Sequence, residues 1–246
     1  MRIIFIFAGV LFYMLTTGAQ TMNVHMVNGE VVRFSKDDIA YIDFTLATPV
    51  PESYKVCPDD SHPHLIDLGL PSGTKWACCN VGASSPEEHG GYYSWGETEE
   101  KSEYTQTTYK YFNQEEGWNN LGTDIAGTVY DVAHVKWGGA WQMPTLAQCE
   151  ELVSSCKWSD SFVEKNGVKG RVLTGANGGS IFLPASGWYY EMESKSVDAG
   201  GYYWTSTQIP DRLDNIHSLD FYTDMKNCGG LTRRDAGLSV RPVIVP

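Results

Sequence analysis

The sequence predicts a β-rich α+β fold with one main helix. Three observations lead to this prediction. Short runs rich in β-branched and aromatic residues recur along the chain, glycine-containing turns separate these runs, and only one segment has a complete helix signature. We therefore expect antiparallel strand pairs, few helices and a small β segment at the N-terminus.

The first residues have the layout of a secretory signal peptide. Arg2 precedes an apolar run over 3–15, and the small residues of "TTGAQ" follow that run. The run has about 13 residues, whereas a membrane-spanning helix needs about 20. We expect residues 1–19 to be cleaved near Ala19, where the sequence has no cysteine to accept a lipid. The mature protein would then be secreted, periplasmic or at the cell surface without a lipid anchor, and not inserted in a membrane.

The charge balance argues against one class of partner. The chain has 18 Lys and Arg residues against 30 Asp and Glu residues, which gives a formal net charge of -12. Its basic clusters are only pairs, such as Arg233 and Arg234. Binding of phosphate groups needs clustered cations, so we expect no nucleic acid partner.

Turn signals divide the chain into segments. Residues 20–44 predict a small β segment with a hairpin turn at Asn28-Gly29. Residues 45–62 contain three prolines and little apolar periodicity, which indicates a linker. The main domain is expected over residues 63–246, a length sufficient for a substantial core.

Two hairpins are predicted in the main domain. The first joins "HLIDLGL" to "KWACCNV" through "PSGT", and the second joins "GRVLTG" to "SIFLPASG" around Asn177-Gly178. Further strands are predicted in "GYYWTST", "HSLDFYT" and "GLSVRPVIV". These strands should supply most of the domain's core.

The main helix is predicted in "TLAQCEELVSSC". Thr145 and Gln148 have the spacing of a capping box, and the apolar residues that follow fall on an arc about 120° wide. This face is expected to pack on the sheet. It consists of Leu146, Cys149, Leu152, Val153 and Cys156.

The segment "SPEEHG" at 85–90 predicts a one-turn helix, because it has a serine cap, a proline in the first position and a glycine at the end. Glu87 and Glu88 suit the positive end of such a helix, and a charged His89 suits the other end. We therefore assign these side chains a structural role rather than a catalytic or ligand-binding one.

Six cysteines in an exported protein could form up to three disulfides. Cys149 and Cys156 are about 10 Å apart along the predicted helix and cannot pair with each other. Cys78 and Cys79 would point to opposite faces of a strand, so at most one faces the core. Buried free thiols are the alternative to disulfides. No common Cys/His metal spacing is present, and we expect no metal and no cofactor.

Five sequence blocks resemble the Fibrobacter succinogenes major paralogous domain, a family of exported proteins in Bacteroidetes. The likeness covers about residues 64–244. The blocks are "DLGLPSGTKWACCNVGASSPEEHGGYYSWGE", "YDVAHVKWGGAWQMPTLAQCEEL", "GVKGRVLTGANGGSIFLPASGW", "GGYYWTST" and "GLSVRPV".

The resemblance implies a C-type-lectin-like fold, similar to that of the formylglycine-generating sulfatase-modifying enzymes. Such a fold has a distorted antiparallel sheet, one main helix and long loops, here preceded by the small N-terminal β segment. The glycine-rich and tryptophan-rich blocks would then be framework. Under this interpretation, four tryptophans belong to the core or anchor loops, namely Trp137, Trp141, Trp188 and Trp204.

The chemistry of the related proteins is not matched residue by residue. Formylglycine-generating enzymes hold copper with two cysteines late in the chain, and the matching segment here has only Cys228. Calcium-dependent lectins use Glu-Pro-Asn or Gln-Pro-Asp triplets and a Trp-Asn-Asp motif. The segment "GWNNLG" matches the Trp-Asn-Asp motif only in part. No GxSxG motif suggests a serine hydrolase either.

The leading hypothesis is a noncatalytic extracellular binding module that recognises a glycan or a surface protein through its loops. Three loops are candidates: residues 97–130, "WYYEMESKSVDAG" and "TQIPDRLDNIHS". The alternatives are a structural subunit of a cell-surface layer or appendage, and an enzyme of unknown type whose carboxylate pair cannot be recognised among 30 acidic residues. The candidate ligand-binding residues are Trp118, Trp188, Tyr189, Tyr190, Asp211 and Asp214.

Overall fold

The computed structural model describes residues 2–7, 10–15, 21–25, 31–35, 56–58 and 61–246. The chain divides into two compact units, Met1–Thr48 and Pro49–Pro246. The described residues contain eighteen strands and two helices, which confirms the prediction of a β-rich fold with few helices. Neither of the described helices has the length and apolar character needed to cross a membrane.

The first unit contains a four-stranded antiparallel sheet in which each strand pairs with the next along the chain. The strands are β1 (Arg2–Phe7), β2 (Val10–Leu15), β3 (Thr21–His25) and β4 (Val31–Ser35). The predicted turn at Asn28-Gly29 lies between β3 and β4, outside the described residues. The predicted cleavage point at Ala19 also lies outside them, and the export signal stays a prediction.

The second unit contains all the other described elements. Its helices are α1 (Val132–Trp137) and α2 (Leu146–Ser155). Its strands are β5 (Leu65–Asp67), β6 (Lys75–Ala77), β7 (Phe112–Asn113), β8 (Gly117–Trp118), β9 (Lys157–Trp158), β10 (Val163–Lys165), β11 (Val168–Thr174), β12 (Ser180–Pro184), β13 (Trp188–Tyr190), β14 (Glu193–Lys195), β15 (Gly201–Gln208), β16 (Asn215–Phe221), β17 (Lys226–Arg233) and β18 (Val243–Ile244).

These strands form three small sheets and two ribbons. The sheets have the orders β18-β6-β5, β10-β11-β12 with β9 on β11, and β15-β16-β17. The ribbons are β7-β8 and β13-β14. Of the predicted linker, residues 45–55 and 59–60 lie outside the described part. Its described part includes Cys57, which is 5% exposed and packs with buried residues of the second unit.

Both predicted hairpins of the main domain are confirmed, because β5 pairs with β6 and β11 pairs with β12, each antiparallel. In the second turn, Gly178 has a φ of +86° and the Asn177 side chain accepts a hydrogen bond from the Gly179 amide at 2.9 Å. A Cβ on Gly175 would lie 1.8 Å from the Leu68 carbonyl oxygen. Glycine is therefore required where the second turn packs on the first hairpin.

The main helix is also confirmed. The Thr145 side chain accepts from the Gln148 amide, and the Gln148 side chain accepts from the Thr145 amide, which completes the capping box. Cys149 and Leu152 are fully buried in a core cluster that also contains Cys156. The second helix, α1, was not predicted. The buried carboxylate of Asp131 caps it by accepting hydrogen bonds from two amides of its first turn.

Residues 85–90 form a turn, so the predicted one-turn helix is wrong. One backbone hydrogen bond, from the Glu88 amide to the Ser85 carbonyl oxygen at 3.3 Å, closes a single turn, and the Glu88 carboxylate accepts a hydrogen bond from the Ser84 amide at 2.6 Å. Gly90 has the expected left-handed conformation, with a φ of +72°. Burial lowers the pKa of His89, so the expected positive charge on this side chain is disfavoured. Because Glu88 holds the backbone of this turn, its contact agrees with the structural role expected for it.

All six cysteines lie in the described part of the chain; they are buried, and none of them forms a disulfide. Cys78 is 4% exposed and Cys79 is 0% exposed. The expectation that only one of these two faces the core is therefore wrong. The reason is that β6 ends at Ala77 and its pairing continues only to Cys78, so the alternation of a strand does not fix the direction of the Cys79 side chain.

The core of the second unit lies on both faces of β15. Tyr203 belongs to the cluster under α2, whereas the next residue, Trp204, belongs to a second cluster that includes part of α1. This division follows from the alternation of side chains along a strand. Trp141 and Trp204 are each 1% exposed, which confirms two of the predicted framework tryptophans as core residues.

A buried arginine connects the end of the chain to both hairpins. Arg241 is 1% exposed, and its Nε donates to the Asn80 side chain at 2.8 Å. The remaining guanidinium nitrogens donate to the carbonyl oxygens of Ala77, Cys78 and Phe182. A buried cation is tolerated only when its donors are satisfied, and here backbone carbonyls take that role.

Replacing Arg241 should destabilise the second unit strongly. The Arg241→Met variant leaves buried carbonyl oxygens without donors, and we expect the free energy of unfolding to fall by about 3 kcal/mol or more in urea denaturation. The control is Arg212→Met, whose side chain is 54% exposed and whose partner is Asp214. That substitution should change stability by about 0.5 kcal/mol or less. Equal losses in the two variants would contradict the role of Arg241.

Candidate functional site

A cleft of about 430 Å³ lies between the sheet β15-β16-β17 and the ribbon β13-β14. Its walls come from strands and adjoining residues between positions 188 and 236. The lining residues are Trp188, Tyr190, Tyr202, Asp220, Tyr222, Leu231, Thr232, Arg233 and Ala236.

Four aromatic side chains dominate the cleft. Trp188 and Tyr190 are two residues apart on β13 and so share a face of the strand. The ring centroid of Trp188 lies 6.0 Å from that of Tyr190 and 6.2 Å from that of Tyr202. Tyr202 and Tyr222 are perpendicular at 5.6 Å, and their hydroxyl groups are hydrogen-bonded. All four rings are partly exposed, so the cleft presents a continuous aromatic surface.

Asp220 places a carboxylate in this aromatic surface. It lies on β16, directly opposite Tyr202 of β15. Its Oδ1 is buried and has no hydrogen-bond partner among the described residues. A Cβ on Gly230 would lie 2.0 Å from Asp220 Oδ2, so the glycine of β17 makes room for the carboxylate.

The environment of Asp220 disfavours its charge. Burial raises the pKa of the carboxyl group to about 6, and a hydrogen bond with Ser218 only partly opposes this shift. A carboxyl group with one buried, unpartnered oxygen and a raised pKa is a common feature of functional sites, because the protein alone gains nothing from it.

Arg233 provides a fixed cation at the edge of the cleft. Its Nε and terminal nitrogen donate to the two carboxylate oxygens of Asp235 at 2.9 Å and 2.8 Å. Asp235 is fully buried, and this hydrogen bond is the main reason that the pKa of Arg233 is raised. The guanidinium lies 5.8 Å from the ring centroid of Trp118. The bidentate pairing holds the arginine in one orientation.

The structure brings only two of the six sequence-predicted residues, Trp188 and Tyr190, into the cleft. Tyr189 lies between them on β13 and points to the opposite face. There its ring packs against Tyr92 at 4.8 Å and Tyr104 at 5.6 Å. Tyr189 is therefore part of the packing behind the ribbon.

The other three predicted residues lie outside the cleft lining. Trp118 packs against Phe112 at 5.0 Å in the ribbon β7-β8. Asp211 is exposed in a turn with a φ of +59°. Asp214 accepts a hydrogen bond from Arg212 at 3.4 Å. The six residues therefore do not form one common site.

Sequence reasoning missed seven of the nine lining residues, and four of these have aromatic or charged side chains: Tyr202, Asp220, Tyr222 and Arg233. Tyr202 and Asp220 lie in the predicted strands "GYYWTST" and "HSLDFYT", and alternation along these strands was the available signal. Alternation divides each strand into two faces but does not say which face another element covers. Here β13 leaves one face of the sheet partly open.

Cys228, the one cysteine late in the chain, is part of the protein core. Cys228 lies in the same core cluster as Cys149 and is 5% exposed. Burial raises the pKa of the Cys228 thiol to about 12 and raises that of Cys149 as well. Both side chains are therefore held as neutral thiols, which act as small apolar groups.

Among the described residues, one group of Cys and His side chains could hold a metal ion: Cys57, His62, His64 and Cys78. The expectation of no metal rested on the absence of a common Cys/His spacing and stays a prediction, although these four side chains come together in space. The pKa of Cys78 is lowered to about 5, mainly by a hydrogen bond with Cys79, and burial opposes this shift. The sequence offered no signal because the spacing of the four residues matches no common metal motif.

Comparisons with protein-family models, with curated proteins and with solved structures give no match for this chain. Its function therefore has to be argued from the chemistry of the cleft and of the Cys/His group.

Asp220 should make stability depend on pH. Its pKa of about 6 in the folded protein exceeds the ordinary value of 3.8, so folding favours the protonated form. The contribution of Asp220 to the stability of the folded protein is then fully present below about pH 4 and is lost as the pH rises through about 6. The Asp220→Asn variant cannot ionise. The unfolding free energy of the variant minus that of the wild type should therefore rise by about 1 to 2 kcal/mol between about pH 4.5 and about pH 7.5.

This gain can be measured by urea denaturation of both proteins at the two pH values. Asp211→Asn is the control, because Asp211 is exposed and lies outside the cleft. A difference between wild type and Asp220→Asn that does not change with pH would show that the Asp220 carboxylate is not destabilised by burial.

Proposed function

We propose that this protein is a noncatalytic extracellular carbohydrate-binding module and that the cleft is its glycan site. The observation that carries the proposal is the combination of four partly exposed aromatic rings with an unpartnered carboxylate oxygen in one cleft. The proposed frame is a C-type-lectin-like domain of the major paralogous family, displayed outside the cytoplasm after export.

The chemistry of sugars fits this lining. A pyranose ring has apolar C–H faces that pack on aromatic side chains, and its hydroxyl groups need hydrogen-bond acceptors and donors. Trp188 and Tyr190 offer flat apolar surfaces, and Asp220 Oδ1 offers a free acceptor. A bound hydroxyl group would supply the hydrogen bond that Asp220 lacks within the protein.

The composition of the lining favours binding over hydrolysis. Most glycoside hydrolases use a pair of carboxylates that flank the scissile bond. Asp220 is the only acidic residue in the cleft lining of the described structure. Asp235, the nearest acid along the chain to Arg233, is fully buried and held by that arginine. One carboxylate can orient a sugar but cannot supply both the acid and the base of hydrolysis.

The position of the cleft agrees with a rigid frame that carries a recognition surface. Trp188 and Tyr190 lie in "WYYEMESKSVDAG", one of the three loops expected to vary in a binding module. The sheet beneath them is anchored by the core cluster under α2. A preformed site of this kind loses little conformational entropy when a ligand binds.

Two neighbouring tyrosines provide a direct test. Tyr190→Ala removes a ring from the cleft, whereas Tyr189→Ala removes a ring from the opposite face of the same strand. We expect Tyr190→Ala to lower the affinity for a bound glycan about tenfold or more. We expect Tyr189→Ala to lower stability while leaving affinity within about twofold. The measurement is isothermal titration calorimetry with glycans identified by an array screen of the mature chain.

The opposite pattern, in which Tyr189→Ala loses binding and Tyr190→Ala does not, would place recognition elsewhere. A screen without any bound glycan, together with concentration-dependent assembly in light scattering, would favour the alternative of a structural subunit of a surface layer or appendage.

Asp220 should show opposite effects on binding and on stability. The Asp220→Asn variant removes the carboxylate, and we expect glycan affinity at neutral pH to fall about tenfold, since hydrogen bonds to a charged group contribute about 1.5 to 3 kcal/mol. Wild-type affinity should also fall below about pH 6 as the carboxylate is protonated. Calorimetric titrations across this pH range test both expectations. If Asp220→Asn is more stable than the wild type and binds the glycan with the same affinity, Asp220 does not take part in glycan binding.

A further inference from the structure

A second site lies in the same unit and is independent of the glycan proposal. Cys57 Sγ, His62 Nε2, His64 Nδ1 and Cys78 Sγ all lie within 4.8 Å of one another. We propose that these four atoms bind one Zn²⁺ ion in a tetrahedral structural site. Nothing in the function of the cleft requires this ion, so the two proposals can fail separately.

Four of the six distances between these atoms are close to those of a tetrahedral metal site, and the other two are within 4.8 Å. Zinc lies about 2.3 Å from a thiolate sulfur and about 2.0 to 2.1 Å from an imidazole nitrogen, which places two sulfurs about 3.8 Å apart and a sulfur and a nitrogen about 3.5 Å apart. Cys57 Sγ lies 3.9 Å from Cys78 Sγ and 3.5 Å from His64 Nδ1. It lies 3.7 Å from His62 Nε2, and Cys78 Sγ lies 3.7 Å from His64 Nδ1.

Backbone structure places two of the ligands beside each other. The Cys78 amide donates to the His64 carbonyl oxygen at 2.9 Å, which extends the pairing of β5 and β6 by one step. His64 and Cys78 are therefore held by the first hairpin of the domain. The Cys78 carbonyl in turn accepts a hydrogen bond from the buried guanidinium of Arg241. Half of the site is thus formed by the framework itself.

The His62 ring is oriented for binding by a contact outside the site. Its Nδ1 lies 3.1 Å from the Pro63 carbonyl oxygen, which can only accept a hydrogen bond. The proton of a neutral imidazole therefore belongs on Nδ1, and Nε2 presents its lone pair to the other three ligands. Backbone carbonyls commonly orient zinc-bound histidines in this way.

Burial indicates a structural rather than a catalytic ion. Cys57 is 5% exposed, His64 is 7% exposed and Cys78 is 4% exposed, while His62 is partly exposed. Four protein ligands complete a tetrahedron and leave no position for substrate. His62 and Cys78 also line a cavity of about 390 Å³, which gives an ion a path into the site.

The donor set favours zinc over other common ions. Two thiolates and two imidazoles form a soft tetrahedral site of the type that holds zinc, whereas calcium and magnesium prefer oxygen ligands. Two thiolate charges also balance the charge of a divalent ion in a buried position. The ion would fix Cys57, which comes from the segment expected to be a linker, onto the first hairpin.

Zinc content is the first measurement. The full chain, purified under reducing conditions without chelator, should contain about one Zn²⁺ per molecule by inductively coupled plasma mass spectrometry. The Cys57→Ser and Cys78→Ser variants should lose that zinc. The control is Cys149→Ser, which changes a fully buried cysteine outside the group and should keep it.

A more conservative variant keeps the test valid if the cysteine variants do not fold. His62 is the partly exposed ligand, so His62→Asn should fold and should bind zinc at least about tenfold more weakly in competition with a chelator. His89→Asn is the matched control, because His89 is a partly buried histidine outside the group and should leave zinc affinity unchanged.

Three results would overturn the proposal. The first is a wild-type protein that is folded and free of zinc under these conditions. The second is equal zinc affinity in His62→Asn and the wild type. The third is a disulfide between Cys57 and Cys78, found by mass spectrometry in the exported protein.

Discussion

The buried guanidinium of Arg241 is the interaction on which the rest of the second unit depends. It donates to oxygen atoms of three segments, at Asn80, at the end of β6 and at Phe182 in β12, and it comes from the C-terminal segment itself. The sheets of this unit are small, so their own hydrogen bonds cannot fix them relative to one another. A planar cation with several donors can do so, because the carbonyl oxygens it satisfies lie on two hairpins, at Ala77 and Cys78 in the first and at Phe182 in the second. Arg234 acts similarly on the loops, with bonds to Tyr109, Asn119 and Leu213.

Arg241 and Asp220 differ in how their buried polar atoms are satisfied. The donors of Arg241 are bonded to fixed oxygen atoms, whereas Asp220 has a buried oxygen without a partner and a pKa raised to about 6. A framework residue of this kind would be unfavourable for stability alone. Its place among four aromatic rings is explained if an external hydroxyl group completes its hydrogen bonding. Stability and recognition are therefore expected to oppose each other at this residue, as they do at many binding sites.

The proposed zinc site and the arginine network meet at Cys78. Its carbonyl oxygen accepts from Arg241, while its sulfur lies among the Cys57 and histidine ligands. The arginine thus fixes the backbone of one ligand, and the ion would fix the segment that carries Cys57 to the first hairpin. An ion bound by both sulfurs would also keep these two thiols from forming a disulfide. The hydrogen bond from Arg241 and the proposed ion would both stabilise the start of the second unit.

The sequence by itself determined the local elements: the two hairpins, the capped helix α2 and the buried positions along it. These features depend on turn residues, caps and periodicity within about fifteen neighbouring positions, where local energies decide the conformation. It did not determine that 85–90 is a turn, because the capping pattern does not predict the hydrogen bond from the Ser84 amide to the Glu88 carboxylate. Only the tertiary structure decided that Tyr190 faces a cleft while Tyr189 faces the interior, and that Cys57 meets Cys78 across 21 positions. Such pairings depend on which elements pack together, and alternation or spacing along one strand carries no information about its neighbours.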